Sequence, residues 1–374
     1  MGHDKLRKFA ENETFSCLLQ PSAQELLADG YFHLRDHAVK GRWDAFFSDR
    51  VAESAVPPEN RATLGIVRGR GPSSDGRGPA QPDVFRGELP ICKREKGVVL
   101  ELGCGKGEYT IALAERDPER NYVGVDIKGA RLWKGAKYAT EHRLPNVAFL
   151  RTRVEFITAF FAPGEVSEVW LTFSDPQYRS ENSRLCSPLF LERYRSFMKP
   201  GGIVHLKTDS RFLHEYALAV CRANGLRILA HTTDLYGSAP RSKGPARQNF
   251  ASLIPPTAPQ RVPPVHEATG GHGSAGQTLA DASLSGGIQP VVREVQTFYE
   301  QLFLEQGYPI TYLAFVIDHE GPYVSPKDPE EFDTKAWRAA EGPRLLFGHD
   351  SAETRRQKLH DRAKGEELVK KTEE

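Results

Sequence analysis

The sequence predicts an α/β protein built on a doubly wound, mostly parallel, seven-stranded sheet with two long low-complexity insertions. Three observations carry this. From Val98 to Ile317, short aliphatic runs alternate with amphipathic helical segments, as in a parallel sheet covered on both faces. A glycine-rich turn, Gly103-Cys104-Gly105-Lys106-Gly107, joins the first run to its helix, and Asp126 ends the second run. Two stretches, 51–95 and 237–290, are rich in Pro, Gly and Ser and too long to be loops of a compact domain.

Residues 1–50 read as a folded N-terminal segment, because aromatics recur at Phe9, Phe15, Tyr31, Phe32, Trp43, Phe46 and Phe47. Pro57-Pro58, Gly69-Arg70-Gly71-Pro72 and Gly78-Pro79 then punctuate a loop-rich insertion over 51–95. The main domain spans 96–320. Val98–Leu102 is a buried strand, and Lys106–Arg116 a helix. The strand Tyr122–Ile127 and a helix over Ala130–His142 follow. The turn Pro145-Asn146 leads to the strand Val147–Leu150, and a helix over Val154–Phe161 is broken by Pro163-Gly164. Val166–Phe173 is the next strand. A polar loop precedes the helix Pro188–Met198, which Pro200-Gly201-Gly202 stops. Ile203–Leu206 is a strand, Phe212–Ala223 a helix capped by Asn224-Gly225, and Leu226–His231 a strand. The insertion over 237–290 reads as disordered. After it come one helix, Val292–Gln306, and a last strand, Ile310–Ile317. Residues 321–374 read as a charged tail, with a solvated helix over Glu353–Lys371.

The net charge of +1 gives no global basic field, so a nucleic-acid partner would need a local patch. Five scattered cysteines, Cys17, Cys92, Cys104, Cys186 and Cys221, form neither a CxxC pair nor a cluster with His. They argue against a disulfide scaffold and a metal site, and for a reducing compartment. No apolar run resembles a signal peptide or is long enough to span a bilayer, so a cytoplasmic protein with no membrane partner is expected. A partner subunit is not evident; monomer and homodimer both stay open.

The chemistry starts at the glycine turn. Its glycines allow a sharp bend and close approach of a ligand to the backbone. Asp126, some 20 residues on, is placed to accept both hydroxyls of a ribose. The spacing is G-x-G-x-G, not the G-x-G-x-x-G of dinucleotide sites, and Glu101 precedes it. An acid beside a pyrophosphate is repelled; beside an ammonium and a sulfonium it is attracted. The pocket therefore favours S-adenosylmethionine over NAD, with Glu101, Gly103, Gly105 and Asp126 as cofactor-binding residues. That makes the fold a class I, Rossmann-like methyltransferase.

Further candidates follow the later strands. Thr172-Phe173-Ser174-Asp175-Pro176-Gln177 leaves the strand expected beside the first, so Asp175 faces the cofactor's reactive end. Pro176 holds the preceding residue extended, as a base-holding loop needs, although an ordinary Asp-Pro turn has the same sequence. Arg179, Arg184, Arg193, Arg195 and Lys199 come next. Guanidinium forks suit phosphates, and Arg184 and Arg193 are candidate contacts to a nucleic-acid backbone; a solvated helix face is the plainer alternative. Lys207-Thr208-Asp209 closes the fifth strand. Thr297-Phe298-Tyr299-Glu300 lies on the helix after the second insertion, with Thr297 and Glu300 on one face.

These residues resemble the bacterial tRNA (guanine-N7)-methyltransferases. The resemblance covers roughly residues 1–50, 97–236 and 291–317. It rests on Leu100-Glu101-Leu102-Gly103-Cys104-Gly105-Lys106-Gly107, Gly124-Val125-Asp126-Ile127-Lys128, Trp170-Leu171-Thr172-Phe173-Ser174-Asp175-Pro176-Gln177, and the N-terminal Lys5-Leu6-Arg7-Lys8-Phe9-Ala10. It implies a tRNA substrate and that Asp175 is catalytic and touches both cofactor and target base. It also implies that Arg179, Asp209 and the tetrad Thr297, Phe298, Tyr299 and Glu300 bind substrate, and that residues through Arg184 touch RNA. Many members carry Pro-Asp-Pro-Trp where this chain has Ser174-Asp175-Pro176-Gln177, and an acid or Asn near Arg153. The two insertions are not family features. Guanine N7 carries a free lone pair, so the expected mechanism is positioning for in-line transfer. Asp175 and Glu300 would accept hydrogen bonds from the guanine N1–H and amine. The alternatives are a class I methyltransferase acting on another nucleic acid or a small molecule, and a non-catalytic tRNA-binding subunit.

Overall fold

A computed structural model describes residues 2–27, 34–55, 97–237 and 288–341. The readings made for Tyr31, Phe32 and Cys92, for most of both insertions and for a helix over Glu353–Lys371 lie outside the described residues.

One eight-stranded sheet organises the chain. Its strands are β1 (Leu18–Leu19), β2 (Val98–Leu102), β3 (Asn121–Asp126), β4 (Val147–Arg151), β5 (Val166–Thr172), β6 (Met198–Thr208), β7 (Ile228–Thr232) and β8 (Thr311–Val316). They lie in the order β1-β4-β3-β2-β5-β6-β8-β7. Pairing is parallel from β1 to β6, and β8 runs antiparallel between β6 and β7. The connections diverge between β2 and β5, which opens a crevice at the carboxyl ends of those strands.

The helices are α1 (Gly2–Asn12), α2 (Ala23–Leu26), α3 (Trp43–Ala55), α4 (Glu108–Arg116), α5 (Gly129–Glu141), α6 (Pro188–Phe197), α7 (Arg211–Ala223), α8 (Ile288–Glu294), α9 (Phe298–Glu305) and α10 (Thr334–Glu341). They cover both faces. Along β2, Val98, Leu100 and Leu102 enter one apolar core with Phe160, Phe197 and Phe212, while Val99 enters the other with Tyr109, Phe149 and Trp170. That alternation is the period of a strand buried on both sides.

The structure departs from the sequence reading in five places. The eighth strand is β1, whose two residues are too few to show a period; it pairs Leu18 with Phe149 and Leu19 with Leu150. Residues 51–55, read as insertion, complete α3. The segment after β4 is a 3₁₀ helix, Val154–Ala159. The single helix expected over Val292–Gln306 is two. Thr297 begins the second: its side chain accepts from the Glu300 N–H, and the Glu300 carboxylate accepts from the Thr297 N–H, a capping box. Finally, residues 321–341, read as part of a charged tail, pack onto α7, with Tyr323, Phe332 and Trp337 in the core.

Candidate active site

The glycine turn is built as a cradle. Gly103, Gly105 and Gly107 all have left-handed backbones, with φ of 79°, 59° and 74°. The N–H groups of Gly103 and Cys104 donate to the Val125 carbonyl at 2.8 and 2.9 Å, which pins the turn to the end of β3. A Cβ at Gly107 would lie 2.6 Å from Phe149 Cζ, whereas a Cβ at Gly103 or Gly105 would meet nothing within 4 Å. Gly107 is therefore required by packing. Gly103 and Gly105 border open space, as a ligand-facing backbone must.

The two acids differ in how much acceptor capacity they retain. Glu101 is buried and accepts from the Thr110 N–H at 2.9 Å and from the hydroxyls of Thr110 and Thr172. Three of roughly four lone-pair positions are thus occupied, leaving about one for a ligand. Burial raises its carboxyl above the usual range, although the threonines oppose the shift. Such a group gains from a cation placed beside it. Asp126 accepts from the Gly105 N–H at 3.0 Å and the Lys128 N–H at 2.7 Å, which leaves room for two hydroxyls. Ile127, immediately after it, is 56% exposed and offers an apolar surface at the same edge. Open glycine backbone, a desolvated carboxylate and a half-free aspartate fit the amino-acid and ribose parts of S-adenosylmethionine.

Beyond β5 the chain makes a constrained loop. Phe173 and Gln177 both adopt left-handed conformations, with φ of 51° and 47°, on either side of exposed Asp175. Non-glycine residues are held there only by their surroundings, and such strain gathers at functional sites. Asp175 accepts from the Gln177 N–H at 3.0 Å. Ser174 Oγ is buried with no protein hydrogen-bond partner, a polar atom that a ligand could satisfy.

A chain of contacts ties this loop to the cradle and to the tetrad. Thr172, bonded to Glu101, pairs with Lys207 across β5 and β6. The Lys207 ammonium lies 2.8 Å from Glu300 and donates to the carbonyls of Val292 and Val295 at 2.6 and 2.9 Å. The Phe173 ring stacks on Phe303 of α9 at 6.4 Å between centroids. The Phe298 N–H donates to Glu108 at 3.0 Å, and Lys106 lies 5.0 Å over the Phe298 ring. Phe298 and Tyr299, 56% and 38% exposed, therefore stand at the rim of the cradle. Asp209, half-buried, follows β6 at the same end of the sheet.

Three of the expected contact residues have surroundings of their own in the fold. Glu300 is fully buried and accepts from Lys207, Tyr236 and the Thr297 N–H, which fills three of roughly four lone-pair positions, as on Glu101. Arg184 is 2% exposed; its guanidinium lies 4.8 Å from the Phe212 ring and 4.2 Å from the Tyr216 ring, and its Nε donates to the Gln177 carbonyl. It braces the Asp175 loop from within and cannot reach RNA. Arg193 sits on α6, the helix that packs against Val154–Ala159, with its guanidinium 4.6 Å from the Phe190 ring. Arg179, four residues after Asp175, is exposed. Sequence reasoning gave no role to Thr110, Thr172, Lys207 or Tyr236, although Thr172 and Lys207 stand in motifs it singled out. Lys207 had a signal, a lone lysine ending an apolar strand, but its partner lies 93 residues away across an insertion, by the difference of their numbers.

A doubly wound sheet, a glycine cradle with two acids and a strained loop after the neighbouring strand define a class I S-adenosylmethionine-dependent methyltransferase. A family model described as "Putative methyltransferase" matches residues 95–246. A tRNA (guanine-N(7)-)-methyltransferase of Christiangramia forsetii is 37% identical over 316 residues, covering 84% of this chain and 98% of that protein. Its counterpart from Bacteroides thetaiotaomicron is 39% identical over 259 residues, 69% of this chain and 81% of that protein. The chain belongs to the tRNA (guanine-N7-)-methyltransferase family. Among solved structures it is similar to the 16S rRNA methyltransferase KamB, at 14% identity over 60% of this chain and 89% of that chain, with a TM-score of 0.33. No helix among the described residues is long and apolar enough to cross a membrane.

Proposed function

We propose that this enzyme methylates N7 of a guanine in tRNA, with Asp175 as its catalytic residue. The observation that carries the reading is the contact chain from Glu101 through Thr172 and Lys207 to α9, which sets the Asp175 loop and the exposed Phe298-Tyr299 pair around one open cradle.

S-adenosylmethionine, when bound, supplies an electrophilic methyl on a sulfonium. Glu101, through its remaining acceptor position, and the backbone at Gly103 and Gly105 hold the amino-acid end, and Asp126 holds the ribose. Asp175 accepts hydrogen bonds from the guanine N1–H and exocyclic amine. Adenine lacks that donor pair. The same carboxylate stabilises the positive charge that develops on the ring. Guanine N7 needs no general base, so orienting its lone pair is the main task. Phe298 and Tyr299 offer aromatic faces on which a splayed purine stacks. Arg179 and Asp209 are the remaining substrate-binding residues of this reading.

Incubation with methyl-labelled S-adenosylmethionine and bulk tRNA, followed by nucleoside analysis, tests it. N7-methylguanosine is the expected product, and Asp175→Ala is expected to abolish it while cofactor binding by calorimetry persists. Another methylated nucleoside in its place, or full turnover by Asp175→Ala, would overturn the assignment.

A further inference from the structure

The buried carboxylate of Glu341, far from the cradle in sequence, touches both substrate-side loops. It is 3% exposed at the end of α10. Its oxygens accept from Tyr178 Oη at 3.0 Å, Ser210 Oγ at 2.8 Å, the Arg211 N–H at 2.7 Å and the Phe212 N–H at 3.0 Å. Tyr178 belongs to the Asp175 loop; Ser210 to Phe212 begin α7, directly after Asp209. The first turn of a helix leaves N–H groups without partners and attracts negative charge. Ser210 satisfies one of them, the Leu213 N–H, at 3.1 Å, and Glu341 takes two more. The ring contacts run the same way: Tyr178 packs on Phe212 at 4.8 Å, and Arg184, which holds the Gln177 carbonyl, lies between Phe212 and Tyr216. Phe332, stacked on Trp337 of α10, closes the outside of Phe212 and Tyr216.

From this we propose that Glu341 is a positioning residue for methyl transfer: α10 is a strap whose terminal carboxylate fixes the Asp175 loop and the Asp209 loop relative to each other. The proposal rests on the reading that these two loops hold the guanine. Glu341 touches neither substrate nor cofactor. Without it, Tyr178 and the α7 N-terminus lose a shared acceptor, and Asp175 loses its fixed distance from Asp209. The cradle residues Glu101 and Asp126 stand on β2 and β3, and the hydrogen bonds named for them run to α4, β5 and the β2 and β3 turns and not to α10, so cofactor affinity should not change.

The test is steady-state methylation of tRNA well below the melting temperature, with S-adenosylmethionine affinity measured separately, on the full chain. Glu341→Ala is expected to lower kcat/KM for tRNA by about ten- to a hundredfold, the scale of a displaced catalytic group, with cofactor affinity within about twofold. Glu341→Gln keeps one acceptor oxygen and should fall between it and wild type. Tyr178→Phe leaves the α7 cap intact and loses the hydroxyl link from Glu341 to the Asp175 loop. It should lower kcat/KM with little change in melting temperature, and should add nothing once Glu341 is already alanine. Wild-type kcat/KM in both Glu341→Gln and Tyr178→Phe, or a loss of cofactor binding parallel to the loss of turnover, overturns the proposal. If Asp175→Ala is inactive while the strap variants are normal, the strap alone fails. If Asp175→Ala is fully active, the underlying reading of the loop fails instead.

Discussion

Lys207 and Glu300 face each other at 2.8 Å, and neither side chain has exposed surface. Burial drives the lysine's pKa down and the glutamate's up, and each partner's charge opposes the other's shift. Removing one partner of such a pair strands a charge, typically at about 3–5 kcal/mol, whereas replacing both with apolar residues is often neutral. Lys207→Met is therefore expected to lower the urea midpoint strongly. Adding Glu300→Leu should recover only part of the loss, because the Val292 and Val295 carbonyls still lack the donor that Lys207 provided. A Lys207→Met chain with an unchanged midpoint would show that the pair is not the anchor of α8 and α9. The same residues show what the sequence hides. Thr297-x-x-Glu300 is readable as a capping box before an apolar run, but its reading as a base-contact tetrad rested on resemblance, and only the fold shows Glu300 turned inward onto Lys207. Arg184 is a similar case: its charge was legible, but the rings that bury it come from α7, 28 and 32 residues later by their numbers.

The β2–α4 connection holds two kinds of glycine. Gly107 has a left-handed backbone and no room for a Cβ beside Phe149; Gly103 has the same conformation and free space. Both alanine variants carry the left-handed penalty of about 1–2 kcal/mol. Gly107→Ala must also displace a fully buried ring, so it should lose much of its folded stability. Gly103→Ala should fold with a modest loss and bind S-adenosylmethionine poorly, because its methyl enters the cradle. Melting curves with and without cofactor check this: a cofactor-induced upward shift in Gly103→Ala as large as in wild type would remove Gly103 from the binding surface. The elements around this turn, β2, α4, β3 and α5, were all legible, because each has a period and a glycine or acid to mark its end. The elements that the sequence does not show have no such mark. Leu18–Leu19 is shorter than any repeat, and Val295-Gln296-Thr297 breaks a helix without Gly or Pro.

Across the whole molecule, residues 321–341 carry the folded domain past Glu320. Their charged composition suggested a tail, and only Tyr323, Phe332 and Trp337 betray an apolar face, too sparse to read as an amphipathic period without the surface they cover. They are fastened by polar contacts along the way. Asn224 donates to the Val324 carbonyl and accepts from the Val324 N–H, both at 2.8 Å, and the Tyr323 N–H donates to Glu192 at 2.9 Å. Burying three large side chains is worth about 1.5–3 kcal/mol each, against a typical domain stability of about 5–15 kcal/mol. A chain ended at Glu320 loses all three, exposes Phe212 and Tyr216 on α7, and leaves the α7 N-terminus without Glu341. It should therefore unfold at markedly lower urea than the full chain, whereas a chain ended a few residues past Glu341 keeps every contact named here. Equal midpoints for the full chain and the chain ended at Glu320 would mean that α10 lies on the domain without stabilising it. A drop in midpoint with normal tRNA turnover at low temperature would keep the stabilising contacts of Phe332 and Trp337 and overturn the loop positioning assigned to Glu341.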